Sequence, residues 1–281
     1  MKVISILKVL RNAALTALAV SVFVVAPISP VQAAAVRDAG LFTTAFPGND
    51  DGSVGPVGIG FNLNFFGNNW NQLYVNNNGN VTFTSPLGTY TPWGIDGGTM
   101  AMLAPFFADV DTRAGNLVYY GSNTLGGHNV FGVNWIDVGY FAYHTNLLNS
   151  FQLIITERSD IAAGDFDFEF NYDKIQWETG DASSGTGGFG GTPATAGWTN
   201  GSGTYYAFPG SLTSGALVNG GANALISNSL NSGVNGRYIF NVRNGIVEPP
   251  PPPPPGVPEP ATMLLLGLGL MGLAGYRRMK K

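Results

Sequence analysis

The feature that most constrains this chain is a two-residue alternation of apolar and polar side chains between turns rich in Gly and Asn. In residues 57–65 every second residue is apolar, and the residues between are Gly or Asn. That period is typical of a β-strand with one buried face, whereas an amphipathic helix repeats about every 3.6 residues. The middle of the chain has almost no stretch with the helical period. The sequence therefore predicts an all-β, sandwich-like fold.

Turn signals divide the alternating runs into hairpins. Asn78-Gly79 lies between one run that begins at Leu73 and another that ends at Thr84. Because Asn and Gly tolerate the positive φ angles of a tight turn, this pair predicts a β-hairpin. Further strands are predicted at about 101–107, 116–121, 129–137, 150–157, 165–172 and 236–243.

Two segments depart from simple alternation. Residues 150–156 are almost continuously apolar, which predicts a central strand that is covered on both faces. In residues 179–203 the composition shifts to Gly, Ser, Thr and Ala, with few large side chains to bury. This second segment is predicted to be a long surface excursion.

The N-terminus has the layout of a cleaved signal peptide, predicted over residues 1–35. Basic residues up to Arg11 precede an uncharged apolar run, 13–26, that is too short to span a bilayer. Small residues follow, and they place the cleavage site after Ala33 or Ala35. The sequence therefore predicts export, and a retained N-terminal anchor is the weaker alternative.

Charge and cysteine content exclude several classes of function. Residues 36–256 include six basic and sixteen acidic side chains, a net charge of about −10. Such a surface repels phosphates, so we expect no nucleic acid partner. The sequence has no cysteine, which excludes disulfide scaffolds, thiolate zinc sites and thiol catalysis. Stability has to come from a packed core.

The C-terminal part is a spacer followed by an apolar tail. Residues 249–255 are an unbroken proline run, which predicts a polyproline II rod of about 20 Å within a spacer at 248–256. Residues 261–276 are free of charge and predict a short transmembrane helix of about 24 Å. A terminal basic cluster predicts that the C-terminus stays in the cytoplasm: Arg277, Arg278, Lys280 and Lys281.

The tail also contains a recognisable motif, formed by Val257, Pro258, Glu259 and Pro260. With the short Gly- and Leu-rich span and the basic cluster, residues 257–281 resemble the PEP-CTERM sorting signal of Gram-negative bacteria that produce exopolysaccharide. The resemblance implies recognition by an exosortase, which cuts near the motif. It also implies anchoring in the inner membrane before processing, and then a place at the cell surface or in the extracellular matrix.

The body carries a second resemblance, in segments 104–112, 115–120, 133–135, 138–141, 149–156 and 170–180. Their order and spacing are similar to the nidogen-like (NIDO) extracellular domain, most clearly over about 104–181 within a body of 36–247. That domain occurs in matrix and adhesion proteins and has no established catalytic activity. The resemblance implies a non-enzymatic protein for adhesion or for binding to exopolysaccharide in a biofilm.

Two loops rich in oxygen ligands are candidate cation sites. Asp109 and Asp111 flank Val110 at the end of an apolar strand, which puts both carboxylates on one side of the chain, where they could bind Ca²⁺. The alternative is a solvated strand end or a turn cap. Residues 49–53 form a second such loop, and neither loop has the full ligand pattern of an EF-hand. No other cofactor is expected.

The acids at positions 165, 167, 169 and 173 alternate with aromatic residues, which predicts a strand with one core face and one wet face. A hydrolase would need a buried acid with a raised pKa among them. The histidines, His128 and His144, lie in no catalytic motif and are expected at surface or loop positions.

Five aromatic residues stand beside Asn, Gly or Thr: Trp70, Trp93, Trp198, Tyr205 and Tyr206. They are either core residues, the favoured interpretation, or platforms that stack on sugars. The leading hypothesis is an exported surface or matrix protein that binds polysaccharide or another surface protein. An extracellular hydrolase acting on matrix polysaccharide and a calcium-dependent adhesin are the alternatives.

Overall fold

The computed structural model describes residues 34–249, which fold into two β-sheets packed around a common core. This confirms the predicted all-β, sandwich-like fold class. The predicted signal peptide up to Ala33, the proline run from Pro250, the sorting motif and the predicted transmembrane helix lie outside the described residues. Within residues 34–249, no helix combines the length and apolar character needed to cross a membrane.

The larger sheet has eight strands: β1 (Thr44–Phe46), β6 (Val110–Asp111), β7 (Val118–Leu125), β8 (His128–Tyr140), β9 (His144–Glu157), β10 (Phe166–Lys174), β13 (Arg237–Arg243) and β14 (Ile246–Val247). The smaller sheet has six: β2 (Ser53–Phe65), β3 (Asn68–Asn76), β4 (Asn80–Thr82), β5 (Ala101–Phe107), β11 (Thr195–Asn200) and β12 (Tyr205–Ala207). Short 3₁₀ helices lie in the connections, at Ala39–Leu41, Ile95–Gly97, Asp181–Ser183 and Leu225–Ser227.

Neighbouring strands in both sheets are antiparallel. The larger sheet has the order β1-β7-β8-β9-β10-β13-β14, with β6 paired to β8. The smaller sheet has the order β12-β11-β5-β4-β3-β2. Since β5 lies at the centre of the smaller sheet and β9 near the centre of the larger one, these two strands meet across the core.

Aromatic side chains from both sheets pack together in that core. Phe106 of β5 packs against Phe151 of β9, with ring centroids 5.5 Å apart, and against Trp177 at 5.9 Å. Trp135 of β8 stacks on Phe151 at 5.2 Å. All four are fully buried, and each contributes about 1.5–3 kcal/mol by leaving water. A chain without cysteine obtains its stability from contacts of this kind.

Two detailed strand predictions are confirmed. The Asn78-Gly79 hairpin joins β3 to β4, which pair Asn76 with Asn80, and Gly79 has a φ of +74°. Strand β9 is covered on both faces, as its continuous apolar sequence predicts. Its core side faces the smaller sheet, and Ile154 on the other side packs in a second cluster beneath the N-terminal segment.

The predicted surface excursion at 179–203 is wrong in its second half. Strand β11 pairs with β5 and β12 inside the smaller sheet, and Ala196 and Trp198 on it are buried. Neighbouring backbone comes so close that a side chain at Gly197 would collide with the carbonyl oxygen of Tyr206. A glycine is therefore needed at position 197, inside a strand, although glycine is more typical of a loop.

The sequence predicts a wet outer face for β10, and at Asp167 and Glu169 this face is instead paired and covered, whereas Asp173 is exposed. Glu169 is 7% exposed and accepts two hydrogen bonds, of 3.0 and 3.1 Å, from the guanidinium of Arg37. Asp167 forms ion pairs of 2.7 Å with Arg158 and with Arg243. These acids lose their water because arginines replace it, which is the condition for burying a carboxylate.

The first described residues lie across this outer face. Ala35 is 2% exposed; its N–H donates to Asp173 at 2.7 Å, and its carbonyl accepts from Arg237 at 2.7 Å. The N–H of Arg37 donates to the Gln152 side chain at 3.0 Å. Residues 34 and 35, which the sequence analysis placed in the signal peptide, are thus bonded to the β-sandwich.

We expect signal peptidase to cut after Ala33, so that the mature chain begins at Ala34. A chain cut after Ala35 would fold without the two hydrogen bonds of Ala35, at a cost of about 1–3 kcal/mol. The measurement is the mass of the N-terminal peptide of the exported protein. A mature chain that begins at Val36 would contradict this expectation.

Candidate functional site

A buried hairpin turn, residues 77–79, organises one end of the sandwich. Asn77 and Asn78 are 0% and 1% exposed. A side chain at Gly79 would collide with the carbonyl oxygen of Phe106, and the positive φ at this position also favours glycine. The turn therefore lies directly against the end of β5, where the chain continues to Asp109.

The amide side chains of this turn bind two acidic loops. Asn77 Nδ2 donates to the backbone carbonyls of Asp50 and Val110. Asn78 Oδ1 accepts from the N–H of Val110 at 2.9 Å, and its Nδ2 donates to Asp51 Oδ1 at 2.9 Å. The two loops that the sequence marks as oxygen-rich are thus tied to the same turn.

The result is a cluster of three carboxylates, which we call the acidic cluster: Asp50, Asp51 and Asp109. One carboxylate oxygen from each lies within 4.8 Å of the other two. Asp109 is 1% exposed and its Oδ2 has no hydrogen-bond partner, and Oδ1 of Asp50 is likewise buried without one. Gly180 lies against the Asp109 carboxylate so closely that any side chain there would collide with it.

Burial and mutual repulsion raise the pKa of two of these acids. Burial is the main reason that the pKa of Asp109 rises to about 7, and nearby carboxylates, first those of Asp50 and Asp51, add to the effect. The pKa of Asp50 rises to about 6, again mainly through burial, although Arg113 opposes the rise. Carboxylates this close together resist ionising at the same time when no cation balances them.

Asp111 has different partners from Asp109. Its oxygens accept from Nε and Nη2 of Arg113, at 2.9 and 2.6 Å, and from the N–H of Tyr143 at 2.9 Å. Burial opposes ionisation of Asp111, but these hydrogen bonds outweigh it and lower the pKa of Asp111. The guanidinium of Arg113 also stacks over the Tyr143 ring at 4.0 Å. Asp111 is therefore an internal ion-pair partner in this structure.

The chain bend at Ala108 explains why the two acids separate. The expectation that Asp109 and Asp111 point the same way assumes an extended strand through both. Instead the N–H of Val110 donates to the carbonyl of Ala108 at 2.9 Å, which is a tight turn of the backbone. Asp109 consequently joins Asp50 and Asp51, and Asp111 joins Arg113.

The two histidines lie at partly exposed positions, each beside a carboxylate. His144 Nε2 lies 3.0 Å from Asp181 Oδ2, and its ring stacks on Tyr140 at 4.6 Å. His128 lies 3.8 Å from Asp160. Both residues are at strand ends, which agrees with the expected surface positions.

Four of the five aromatic residues considered for sugar stacking are packed into the domain. Trp198 is 6% exposed, Trp70 packs on Phe83 at 5.5 Å and Trp93 packs edge-on against Phe107 at 4.9 Å. Tyr206 likewise packs against the core, and Tyr205 is exposed at 46%. The core interpretation is therefore correct for all of them except Tyr205.

Other exposed aromatic side chains lie on the loops around the acidic cluster. We call these residues the aromatic rim: Tyr90, Tyr143 and Phe189, with exposures of 39%, 56% and 40%. The loop of Tyr90 is bonded to Asn78, because Asn78 Nδ2 donates to the carbonyl of Thr89. The N–H of Tyr143 donates to Asp111. The loop of Phe189 is bonded to Thr179, next to Gly180, because the N–H of Thr179 donates to the carbonyl of Gly188. The same end of the sandwich therefore presents carboxylates and aromatic rings together.

Sequence reasoning missed the roles of Asn77, Asn78 and Arg113. Two further asparagines, Asn76 and Asn77, stand directly before Asn78-Gly79. A hairpin turn requires only Asn-Gly, and this excess of amides is the signal that could have revealed the roles of Asn77 and Asn78. An arginine two residues after Asp111, in a body with few basic residues, is the corresponding signal for the ion pair. The sorting residues 257–260, the basic cluster at 277–281 and Ala33 lie outside the described residues.

We expect Asp109→Asn to stabilise the protein in metal-free buffer at pH 8 and to have little effect at pH 4. Since folding raises the pKa of Asp109 from 3.8 to about 7, the folded state keeps a proton that the unfolded state releases between these values. The retained proton stabilises the folded state, and this contribution to the free energy of unfolding is lost as the pH rises from 3.8 to about 7. Asparagine carries no such penalty, and the difference at pH 8 should be roughly 2–4 kcal/mol.

The measurement is urea unfolding of both proteins at the two pH values. Equal stability differences at pH 4 and pH 8 would contradict the expected titration of Asp109.

Comparison with protein families gives two matches. Residues 71–244 match the nidogen-like domain, and residues 256–278 match the PEP-CTERM protein-sorting motif. Both resemblances recognised in the sequence are confirmed. No solved structure gives a significant match to this chain.

Several similar curated proteins come from animals. Alpha-tectorin from Mus musculus is 32% identical over 235 residues, which cover 73% of this chain and 10% of that protein. Alpha-tectorin from Homo sapiens gives the same values. Nidogen from Drosophila melanogaster is 30% identical over 210 residues, which cover 64% of this chain and 14% of that protein.

The chain thus spans about a tenth of the length of the alpha-tectorins that it matches. The nidogen-like match includes β4 to β13 and both loops that carry Asp109 and Gly180. It extends over more than half of the chain. The chain belongs to the nidogen-like domain family, and its C-terminal segment is a PEP-CTERM protein-sorting motif.

Proposed function

We propose that this chain is an exported, non-enzymatic surface or matrix protein whose β-sandwich mediates adhesion. The observation that carries the proposal is the nidogen-like domain match over residues 71–244. The sorting-motif match at 256–278 supports export, since a protein-sorting signal serves a chain that leaves the cytoplasm. A net charge of about −10 between residues 36 and 256 suits a soluble domain outside the cell.

The N-terminal signal exports the protein, and the tail holds and sorts it at the inner membrane of a Gram-negative bacterium. In this proposal an exosortase recognises Pro258, Glu259 and Pro260 while the apolar stretch 261–276 holds the chain in the membrane. The basic cluster at 277–281 stays on the cytoplasmic side because cations resist translocation. Cleavage near the motif then transfers the body to the cell surface or to the matrix of a biofilm.

The end of the sandwich that carries the aromatic rim is the proposed binding face. Exposed aromatic rings next to amides and carboxylates bind the apolar faces of sugars by stacking, and their hydroxyls by hydrogen bonds. The loop of Tyr90 is held by a hydrogen bond from Asn78 Nδ2 to the carbonyl of Thr89, and the loop of Phe189 by backbone hydrogen bonds between Phe189 and Thr186. This arrangement supports adhesion to exopolysaccharide, and a surface protein is the alternative ligand.

One observation favours a hydrolase instead: two close acids, Asp50 and Asp109, have raised pKa values. A catalytic acid must however reach its substrate, and Asp109 is 1% exposed, with Gly180 directly against its carboxylate. Two acids of β10, Asp167 and Glu169, are engaged with arginines. Burial and ion pairing therefore support a role without catalysis.

We expect Glu259→Ala to block processing of the tail. The wild-type protein should lose its C-terminal residues, whereas the variant should retain them to Lys281 and remain in the inner-membrane fraction. Glu248→Ala is the matched control, because it removes an acid just before the proline run and outside the motif. Mass spectrometry of the mature C-terminus measures the outcome. Retention of the tail in the wild-type protein would contradict the sorting proposal.

We expect Tyr90→Ala to weaken binding of the protein to exopolysaccharide from the producing strain by about 3- to 10-fold, which is what one aromatic contact contributes. Tyr205→Ala is the control, because Tyr205 is similarly exposed. Tyr205 pairs with Thr199 of β11, and Thr199 pairs with Met102 of β5. Met102 lies about 20 Å along the chain direction of β5 from Asp109, so Tyr205 is far from the acidic cluster. Affinity is measured by co-sedimentation, and polymer length is measured after incubation. Equal loss in both variants would contradict the proposed face, and shortened polymer would support the hydrolase.

A further inference from the structure

The acidic cluster has more negative charge than its protein partners can balance. Within residues 34–249, Arg113 is the cation that contacts it, at 3.3 Å from Asp50 Oδ2, and the same guanidinium is already bidentate with Asp111. Asp109 contributes a carboxylate that is 1% exposed and has an oxygen without any hydrogen-bond partner. A buried carboxylate that lacks a partner is costly, and native proteins rarely retain one without a counter-ion or a ligand.

We infer that Asp50, Asp51 and Asp109 form a binding site for one divalent cation, and that Ca²⁺ is the ion it fits. The oxygens lie within 4.8 Å of one another, so a point between them is at most about 2.8 Å from all three, and a small inward movement of the carboxylates gives the usual Ca²⁺–oxygen distance of about 2.4 Å. The assignment concerns ion binding alone and stands apart from the proposed adhesive role.

The donor set selects the type of ion. All three side chains offer hard carboxylate oxygens, and the chain has no cysteine. Its two histidines lie beside other carboxylates, His128 at 3.8 Å from Asp160 and His144 at 3.0 Å from Asp181. Zinc and copper prefer nitrogen and sulfur ligands, so this set favours Ca²⁺ or Mg²⁺. Ca²⁺ accepts irregular ligand geometry from loops, whereas Mg²⁺ requires a near-ideal octahedron and keeps most of its water.

The surroundings leave the required oxygens unbound by protein donors. Asn77 and Asn78 bind the backbone of these loops, and the one side-chain oxygen of the cluster that they engage is Oδ1 of Asp51. Oδ2 of Asp109 and Oδ1 of Asp50 keep no donor. The hydrogen bonds thus position the carboxylates without neutralising them.

An ion at this place would connect separate parts of the chain. Asp50 and Asp51 precede β2, Asp109 follows β5, and Gly180 lies in the segment that leads to the loop of Phe189. Ca²⁺ would cancel the repulsion among the acids and stiffen this loop end. With three carboxylates and water as further ligands, the expected Kd lies on the order of 10⁻⁴–10⁻³ M, the range of extracellular calcium modules.

The test uses the full exported chain, stripped with chelator and titrated with CaCl₂ at pH 7.5 in a calorimeter and in thermal unfolding. Wild-type protein should bind one Ca²⁺, and its Tm should rise by about 5 °C or more near 100 times Kd. Asp109→Asn should abolish both effects. Asp38→Asn, which removes the same charge from an exposed helix cap on the opposite side of the larger sheet, should retain them.

Asp51→Asn is the second variant if Asp109→Asn fails to fold, since Asp51 is partly exposed and asparagine can still accept from Asn78. It should weaken Ca²⁺ binding at least 10-fold. The inference is overturned if the wild-type protein shows neither binding heat nor a Tm shift. It is equally overturned if the acidic-cluster variants keep the full shift, because Ca²⁺ would then act elsewhere.

Discussion

The buried turn at 77–79 is the constraint on which this end of the molecule depends. A turn that is withdrawn from water has to satisfy its polar groups within the protein, because an unpaired buried amide costs about 1–3 kcal/mol. Asn77 meets this requirement through the carbonyls of Asp50 and Val110, and its own carbonyl accepts from Trp135 Nε1 at 3.0 Å. Trp135 belongs to the opposite sheet, so one residue binds both sheets and both acidic loops.

The acidic cluster follows from that arrangement. The turn uses its amides on the backbone of the loops, and this leaves carboxylates facing one another with few donors. Asp111, two residues from Asp109, shows the contrasting solution, since Arg113 satisfies both of its oxygens. This end of the sandwich thus combines one acid that Arg113 neutralises, Asp111, with three clustered acids that we infer to bind a cation.

On the other side of the larger sheet, arginines and the N-terminal segment perform the corresponding role. Glu169 and Asp167 point away from the core, and Arg37, Arg158 and Arg243 balance them. The segment that carries Arg37 begins where export is expected to remove the signal peptide. Residues 35–42 supply part of the cover of β9 and β10, so loss of this segment would lower the stability of the sandwich.

Local sequence determined most of the fold and the family. A period of two residues marks strands regardless of their neighbours, Asn78-Gly79 specifies a hairpin, and both family resemblances depend on short motifs that are visible in one dimension. Tertiary structure decided what local pattern cannot express. β11, within the Gly-rich segment 179–203, became a strand because β5 and β12 were there to pair with it. The acids of β10 became ion-pair partners because arginines from distant segments reached them. Asp109 joined Asp50 instead of Asp111 because a bend at Ala108 and the turn at 77–79 set the direction of its side chain. That turn lies some thirty residues earlier in the chain. Contacts over such separations depend on the packing of two sheets rather than on any stretch of sequence.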